Sequence, residues 1–193
     1  ETNNRTFNRI TVDGDTSTND MALLLANGKA GNKSIRAGSS AYNKFVEKLT
    51  ELCLCLAHKI VLDGEGATKF VTIRVRSAKA KTHAHRIAQS VATSSLVKTA
   101  LFGQDPNWGR IIAAVGYAGV PFNPDKIQIL LNGSLLFKNG VPTRGTLQST
   151  LHKKMKNKNI FITIELNSGI HSDEVYTCDL SYDYVRINAE YTT

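Results

Sequence analysis

Cysteine is scarce: Cys53, Cys55 and Cys178 are the only three in 193 residues. An odd number without framework spacing excludes a disulfide-built secreted scaffold. Cys53 and Cys55 stand two apart in Leu52-Cys53-Leu54-Cys55-Leu56, which is not a C-x-x-C metal or redox motif, and they read as small apolar core residues. No apolar run reaches the ~18 residues of a membrane span, and no secretory leader is visible at the start. The chain opens on Glu1-Thr2-Asn3 without an initiating methionine, as a processed product or a fragment would. Neither G-x-G-x-x-G nor a P-loop occurs, which argues against a nucleotide-binding doubly wound fold. A G-x-S-x-G nucleophile elbow is also missing. His83 and His85 are two apart with no carboxylate at ligand spacing, so no zinc set is expected.

Hydrophobic residues make up 41% of the chain and charged ones 21%, enough apolar material for one domain or a large part of one. The formal net charge is +8. Such a balance raises the odds of a polyanionic partner. No aromatic-basic platform accompanies it, so the excess reads as a solvated basic surface and no nucleic-acid partner is expected.

Hydrophobic periodicity divides the chain. Thr6 to Asp20 reads as a short strand entering a turn, and Met21 to Ala26, an unbroken apolar run, as a buried strand. Asn27 to Ser40 is a polar, glycine-rich surface loop. Phe45, Leu49, Leu52, Leu56 and Ile60 recur at helical steps, predicting an amphipathic helix from Ala41 to about Val61. Phe70 to Arg76 alternates as a half-buried strand. A helix is predicted from about His83 to Thr99, and a short one from Ile111 to Tyr117. Beyond Pro121, strands are expected at 126–131, 134–138, 160–166 and 175–187, with a hairpin at Asn132-Gly133 and one helix within 145–156. The prediction is a single mixed α/β layered sandwich, 1–120 mixed and 121–193 mainly strands with one helix.

Three polar loops are candidates for chemistry. Asp13 to Asp20 holds three carboxylates, but Leu24 stands where a calcium loop carries its closing glutamate. The segment is a hydrogen-bonded turn or part of a site. In Gly64-Glu65-Gly66-Ala67-Thr68-Lys69 the glycines allow unusual dihedrals and close ligand approach. Glu65 either binds an ammonium group there or is an exposed residue in an ordinary turn. Gly103 to Arg110 contains the only tryptophan, Trp108, which either anchors the loop in the core or covers a ligand; anchoring is the simpler reading.

Four segments, in order and spanning nearly the whole chain, carry a resemblance: FNRITVDGDTSTND (7–20), GEGATK (64–69), KTALFGQDPNWGR (98–110) and CDLSYDYVRINAEY (178–191). Together they resemble the β chain of the ornithine acetyltransferases, or glutamate N-acetyltransferases. The resemblance implies an α/β sandwich of the ornithine acetyltransferase type. It implies a precursor that cuts itself into α and β chains, associated as an α2β2 heterotetramer, cytoplasmic in bacteria and archaea and organellar in some eukaryotes. The new N-terminal threonine would take acetyl from N-acetylornithine and pass it to glutamate, in arginine biosynthesis. Acetyl-CoA is an additional donor in some members, and no cofactor or metal is implied. A free α-amine, with a pKa of about 7.7–8.0, serves as base for the hydroxyl of the same residue. That threonine has no counterpart in residues 1–193 and is expected upstream of Glu1, with the oxyanion donors on the α chain, so no catalytic residue is assigned here. Three substrate-binding positions carry over: Glu65, Asn188 and Thr193. An amidase or aminopeptidase of the same fold is the alternative.

Overall fold

The computed structural model describes residues 1–143 and 148–191. In chain order its main elements are α1 (Ser40–Leu62), β1 (Phe70–Ala78), α2 (Lys81–Ala92), α3 (Ser95–Phe102), α4 (Trp108–Tyr117), β2 (Gln128–Leu131), β3 (Ser134–Lys138), β4 (Val141–Pro142), α5 (Gln148–Met155), β5 (Asn159–Glu165), β6 (His171–Cys178) and α6 (Tyr182–Glu190). The strands form one mixed sheet in the order β4-β3-β2-β5-β1-β6. β1 lies between β5 and the edge strand β6, parallel to the first and antiparallel to the second.

Alternation in β1 and β5 builds the core. Val71, Ile73 and Val75 lie opposite Ile160, Ile162 and Ile164, and all six are buried. Branched side chains fit the pleat, and each contributes about 1.5–3 kcal/mol by leaving water. Ala84, Ile87, Ala88 and Val91 of α2 and Ile111, Ala114 and Val115 of α4 complete the same cluster. Trp108 stacks on Phe137 at 5.1 Å between centroids, which anchors the start of α4 as expected. Asn132 and Gly133 both take positive φ, 44° and 77°, the demand of a tight hairpin turn between β2 and β3. The arrangement is the expected layered α/β type.

At the β6 end, Ala57 and Val61 of α1 are buried, and Val61 packs with Tyr176 and Cys178. His58 meets the stacked rings of Phe70 and Tyr176 edge-on, at 4.9 and 4.4 Å, and burial lowers its pKa below 6.5. Further along, the sheet carries the ion pairs Arg74–Glu174 and Arg76–Glu165.

Several expectations are corrected. The opening is two short 3-10 turns, Asn3–Arg5 and Phe7–Arg9, with a single bridge from Ile10 to Tyr176 in place of a strand. Met21 to Ala26 is exposed and has no regular structure, with Leu25 at 88% exposure; an apolar run becomes a buried strand only where another layer covers it. The helix expected over 83–99 is two, because Ser94 stops α2 and caps α3 through the Val97 amide. The strand expected over 175–187 ends at Cys178, since Ser181 caps α6 through the Tyr184 amide. The described residues of 121–193 therefore hold two helices where one was expected. Cys55 is exposed and Cys53 half-buried, outside the expected core. α1 forms as predicted, but Phe45, Leu52, Leu56 and Ile60 face outward. The buried face is the one carrying Ala57 and Val61.

No helix among the described residues is long and apolar enough to cross a membrane.

Candidate functional site

The loop that carries Glu65 is shaped at both ends by its glycines. Gly64 follows the last turn of α1 and lies against Val12, whose methyl carbons would be 3.2 Å from any added Cβ. Gly66 has φ +65°, and a Cβ there would lie 2.5 Å from the Tyr184 amide nitrogen and 2.6 Å from Ser181 Oγ. Only glycine meets both the dihedral and the space. Glu65 stands between them with its side chain exposed.

Ser181 joins this loop to α6. Its hydroxyl donates to the Gly66 carbonyl oxygen at 2.6 Å and accepts from the Tyr184 amide at 3.3 Å. Asp179, at the end of β6, takes hydrogen bonds from the Thr68 amide, the Lys69 amide and the Thr68 hydroxyl. Two turns along α6, the Asn188 amide group donates to Glu65 Oε2 at 2.6 Å and to the Tyr184 carbonyl oxygen at 2.9 Å. A short bond to a carboxylate of this kind is about twice as strong as a neutral one.

The Asp13 loop forms the adjoining surface. Asp13 Oδ1 accepts from the Asp15 amide at 2.9 Å, and Asp13 Oδ2 from the Tyr184 hydroxyl at 3.0 Å. Burial, the bond to Asp13 and the charges of Asp13, Glu65 and Asp15 together push the Tyr184 pKa up to about 12. Three carboxylates therefore act on one phenol, and this corner of a basic chain is locally negative. Such a corner attracts an ammonium group.

Two of the three predicted binding residues, Glu65 and Asn188, are thus in direct contact although 123 positions separate them. Thr193 lies outside the described residues. Sequence reasoning missed Tyr184, Asp179 and Ser181. Their types carry no signal alone, and only their place in the 178–191 motif marked them. The Lys98 segment reaches this region from beneath. The Lys98 side chain is 2% exposed, and its ammonium donates to Thr177 Oγ1 at 3.0 Å and to the Cys178 carbonyl oxygen. Burial lowers its pKa below 10.5.

A cavity of about 760 Å³ opens elsewhere, over Arg9, Arg74, Asp173, Glu174 and Tyr176, and neither Glu65 nor Asn188 lines it. Its charges are largely matched: Arg9 pairs with Asp173, His85 Nδ1 lies 3.1 Å from Asp173, and Arg74 pairs with Glu174 at 2.8 Å. Among the described residues no group of three or more His, Cys, Asp or Glu is arranged to hold a metal ion.

Comparison with known proteins gives this corner a context. The chain is 52% identical over 187 residues to an arginine biosynthesis bifunctional protein ArgJ of Desulfotalea psychrophila, covering 97% of this chain and 48% of the relative. It is 46% identical over 196 residues to a glutamate N-acetyltransferase of Methanocaldococcus jannaschii, covering 98% and 48%. The chain thus spans about half the length of the curated relatives it matches. A crystal structure of an arginine biosynthesis bifunctional protein ArgJ from Bacillus halodurans matches with a TM-score of 0.93 and 41% identity, over 98% of this chain and 89% of that one. The fold and the ordered motifs that meet at Glu65 accord with these likenesses. The ArgJ family model matches residues 1–193, and this chain belongs to the ArgJ family.

Proposed function

We propose that this chain forms one wall of an acetyltransferase site, in which acetyl passes from N-acetyl-L-ornithine to L-glutamate through an acetyl-threonine, in arginine biosynthesis in the cytoplasm. The observation that carries the reading is the Glu65–Asn188 contact at 2.6 Å, made across two family motifs distant in sequence. Asn188 occupies Glu65 Oε2. In this reading Glu65 Oε1 takes a substrate ammonium, Asn188 orients the amino acid, and Thr193 is a third substrate-binding position. The carboxylates of Asp13 and Asp15 add to the local attraction.

The nucleophilic threonine and its oxyanion donors are assigned to the half of the relatives' length that this chain does not span. There a neutral α-amine takes the hydroxyl proton, and backbone or side-chain donors stabilise the tetrahedral oxyanion, a contribution of about 2.7–4 kcal/mol per donor. Acetyl-CoA is an additional candidate donor substrate. The partner is the other half of the same precursor, with α2β2 as the assembly. Supporting this, α1 turns Phe45, Leu52, Leu56 and Ile60 outward, and Met21 to Leu25 is uncovered.

The test uses the complete two-chain protein with N-acetylornithine labelled in the acetyl group, with and without glutamate. Label should appear in N-acetylglutamate. Glu65→Gln should lower kcat/KM for N-acetylornithine by about tenfold to a hundredfold, as expected for losing a charged substrate contact. Release of free acetate without transfer would favour an amidase and sink the acetyltransferase reading. Unchanged kinetics in Glu65→Gln would remove Glu65 from the site.

A further inference from the structure

We propose that Asp179 is a positioning residue for this site, fixing the loop that aims Glu65; the inference rests on the acetyl-transfer reading above. Asp179 is 2% exposed, and the hydrogen bonds it makes go to the loop backbone and to Thr68, not to Glu65 or Asn188. Its Oδ1 accepts from the Thr68 amide at 2.8 Å and the Lys69 amide at 2.9 Å, and its Oδ2 from the Thr68 hydroxyl at 2.5 Å. All three donors lie on the Gly64–Lys69 loop, 110 or 111 positions earlier in the chain. A buried carboxylate that collects three hydrogen bonds is satisfied as an anion and holds its donors firmly. The Lys98 ammonium, buried beneath Cys178, is close enough to feel the Asp179 charge.

The geometry explains why such a clamp is needed. Glu65 lies between two glycines, the least restrained backbone available. On its N-terminal side the loop is tied to the end of α1, where the Gly64 amide donates to the Val61 carbonyl oxygen. On its C-terminal side Ser181 holds Gly66 and Asp179 holds Thr68 and Lys69. The same short stretch, Asp179 to Ser181, also starts α6 and so sets the distance from Glu65 to Asn188. Fixing a charged ligand group in advance lowers the cost of ordering it when substrate binds. Asp179 therefore acts through Glu65 and its loss should appear in KM before kcat.

The experiment is a double-mutant cycle in the complete two-chain protein, with steady-state kinetics on N-acetylornithine. Asp179→Ala should raise KM about tenfold with kcat within about threefold, while Asp179→Asn, which keeps an oxygen for the two amides, should recover most of the loss. In a Glu65→Gln background Asp179→Ala should change KM less than about twofold, because the group it positions is already lost. Effects of the two changes that multiply in full, or an unchanged KM in Asp179→Ala, would overturn the proposal. Should Asp179→Ala fail to fold, Thr68→Val removes one of the three bonds. It should raise KM about threefold in the parent and not in Glu65→Gln, and no rise in the parent overturns the proposal. A normal Glu65→Gln defect that multiplies with Asp179→Ala brings down only the positioning role. Unaltered kinetics in Glu65→Gln brings down the underlying functional reading and this inference with it.

Discussion

Tyr184 shows how single side chains set the character of the site. Its hydroxyl donates to Asp13, its backbone carbonyl receives Asn188, and its backbone amide is capped by Ser181. It thereby links the three features that meet at Glu65. Its folded pKa of about 12 lies above the ordinary value of 10.0. A group raised in this way contributes stability that is fully present below pH 10 and is lost as pH climbs through about 12. An alkaline titration of phenolate absorbance should therefore show Tyr184 among the late-ionising tyrosines, and Tyr184→Phe should remove a late step. An early step removed by Tyr184→Phe would mean that the phenol is free of Asp13. Tyr176 is raised as well, by burial and by its bond to Glu174, so two late steps are expected in the parent. Glu65 itself was singled out in the sequence by its two flanking glycines, which left it open between an ammonium ligand and an ordinary turn, and by the family motif that carries it. Tyr184 was not, since nothing in an aromatic residue near a chain end announces a partner 171 positions away.

Elements set by a local pattern were legible, and those set by tertiary contact were not. The valine and isoleucine alternation of β1 and β5 and the Asn132-Gly133 turn gave the sheet's parallel pair and one hairpin. α6 escaped because Tyr182, Tyr184 and Arg186 fit a strand as well as a helix, and the deciding signal was a single cap at Ser181. The outward stripe of α1 was misassigned because the helix is apolar on two sides, and periodicity does not say which side the core uses. At the join between α1, β1 and α6, the controlling residue is Gly66. Replacing it by alanine forces a side chain into φ +65° and against the first turn of α6. Gly66→Ala should cost about 2 kcal/mol or more in urea unfolding, and it should weaken substrate binding along with stability. A variant of parental stability would show that the α6 start moves aside freely.

Across the whole molecule the apolar surface is unevenly spread. Phe45, Leu52, Leu56 and Ile60 are each 44–57% exposed along one side of α1. Contiguous apolar area of this sort marks an interaction face. With the other half of the family protein as its occupant, Leu52→Glu combined with Leu56→Glu should leave the melting of the isolated chain unchanged. The same pair should weaken its association with that half by about tenfold or more, read by size-exclusion chromatography of the co-expressed chains. Undiminished assembly would place the contact elsewhere. The sheet order has a separate bearing on how the chain is made. Phe70 pairs with Asn159 on one side and Cys178 on the other. At ~5–20 residues per second of translation, β1 leaves the ribosome roughly 5–20 s ahead of both neighbours. Its two unsatisfied edges and its Val-Ile-Val face stay unpaired for that interval, so the nascent chain passes through a window in which its own sheet does not yet shield that strand from aggregation.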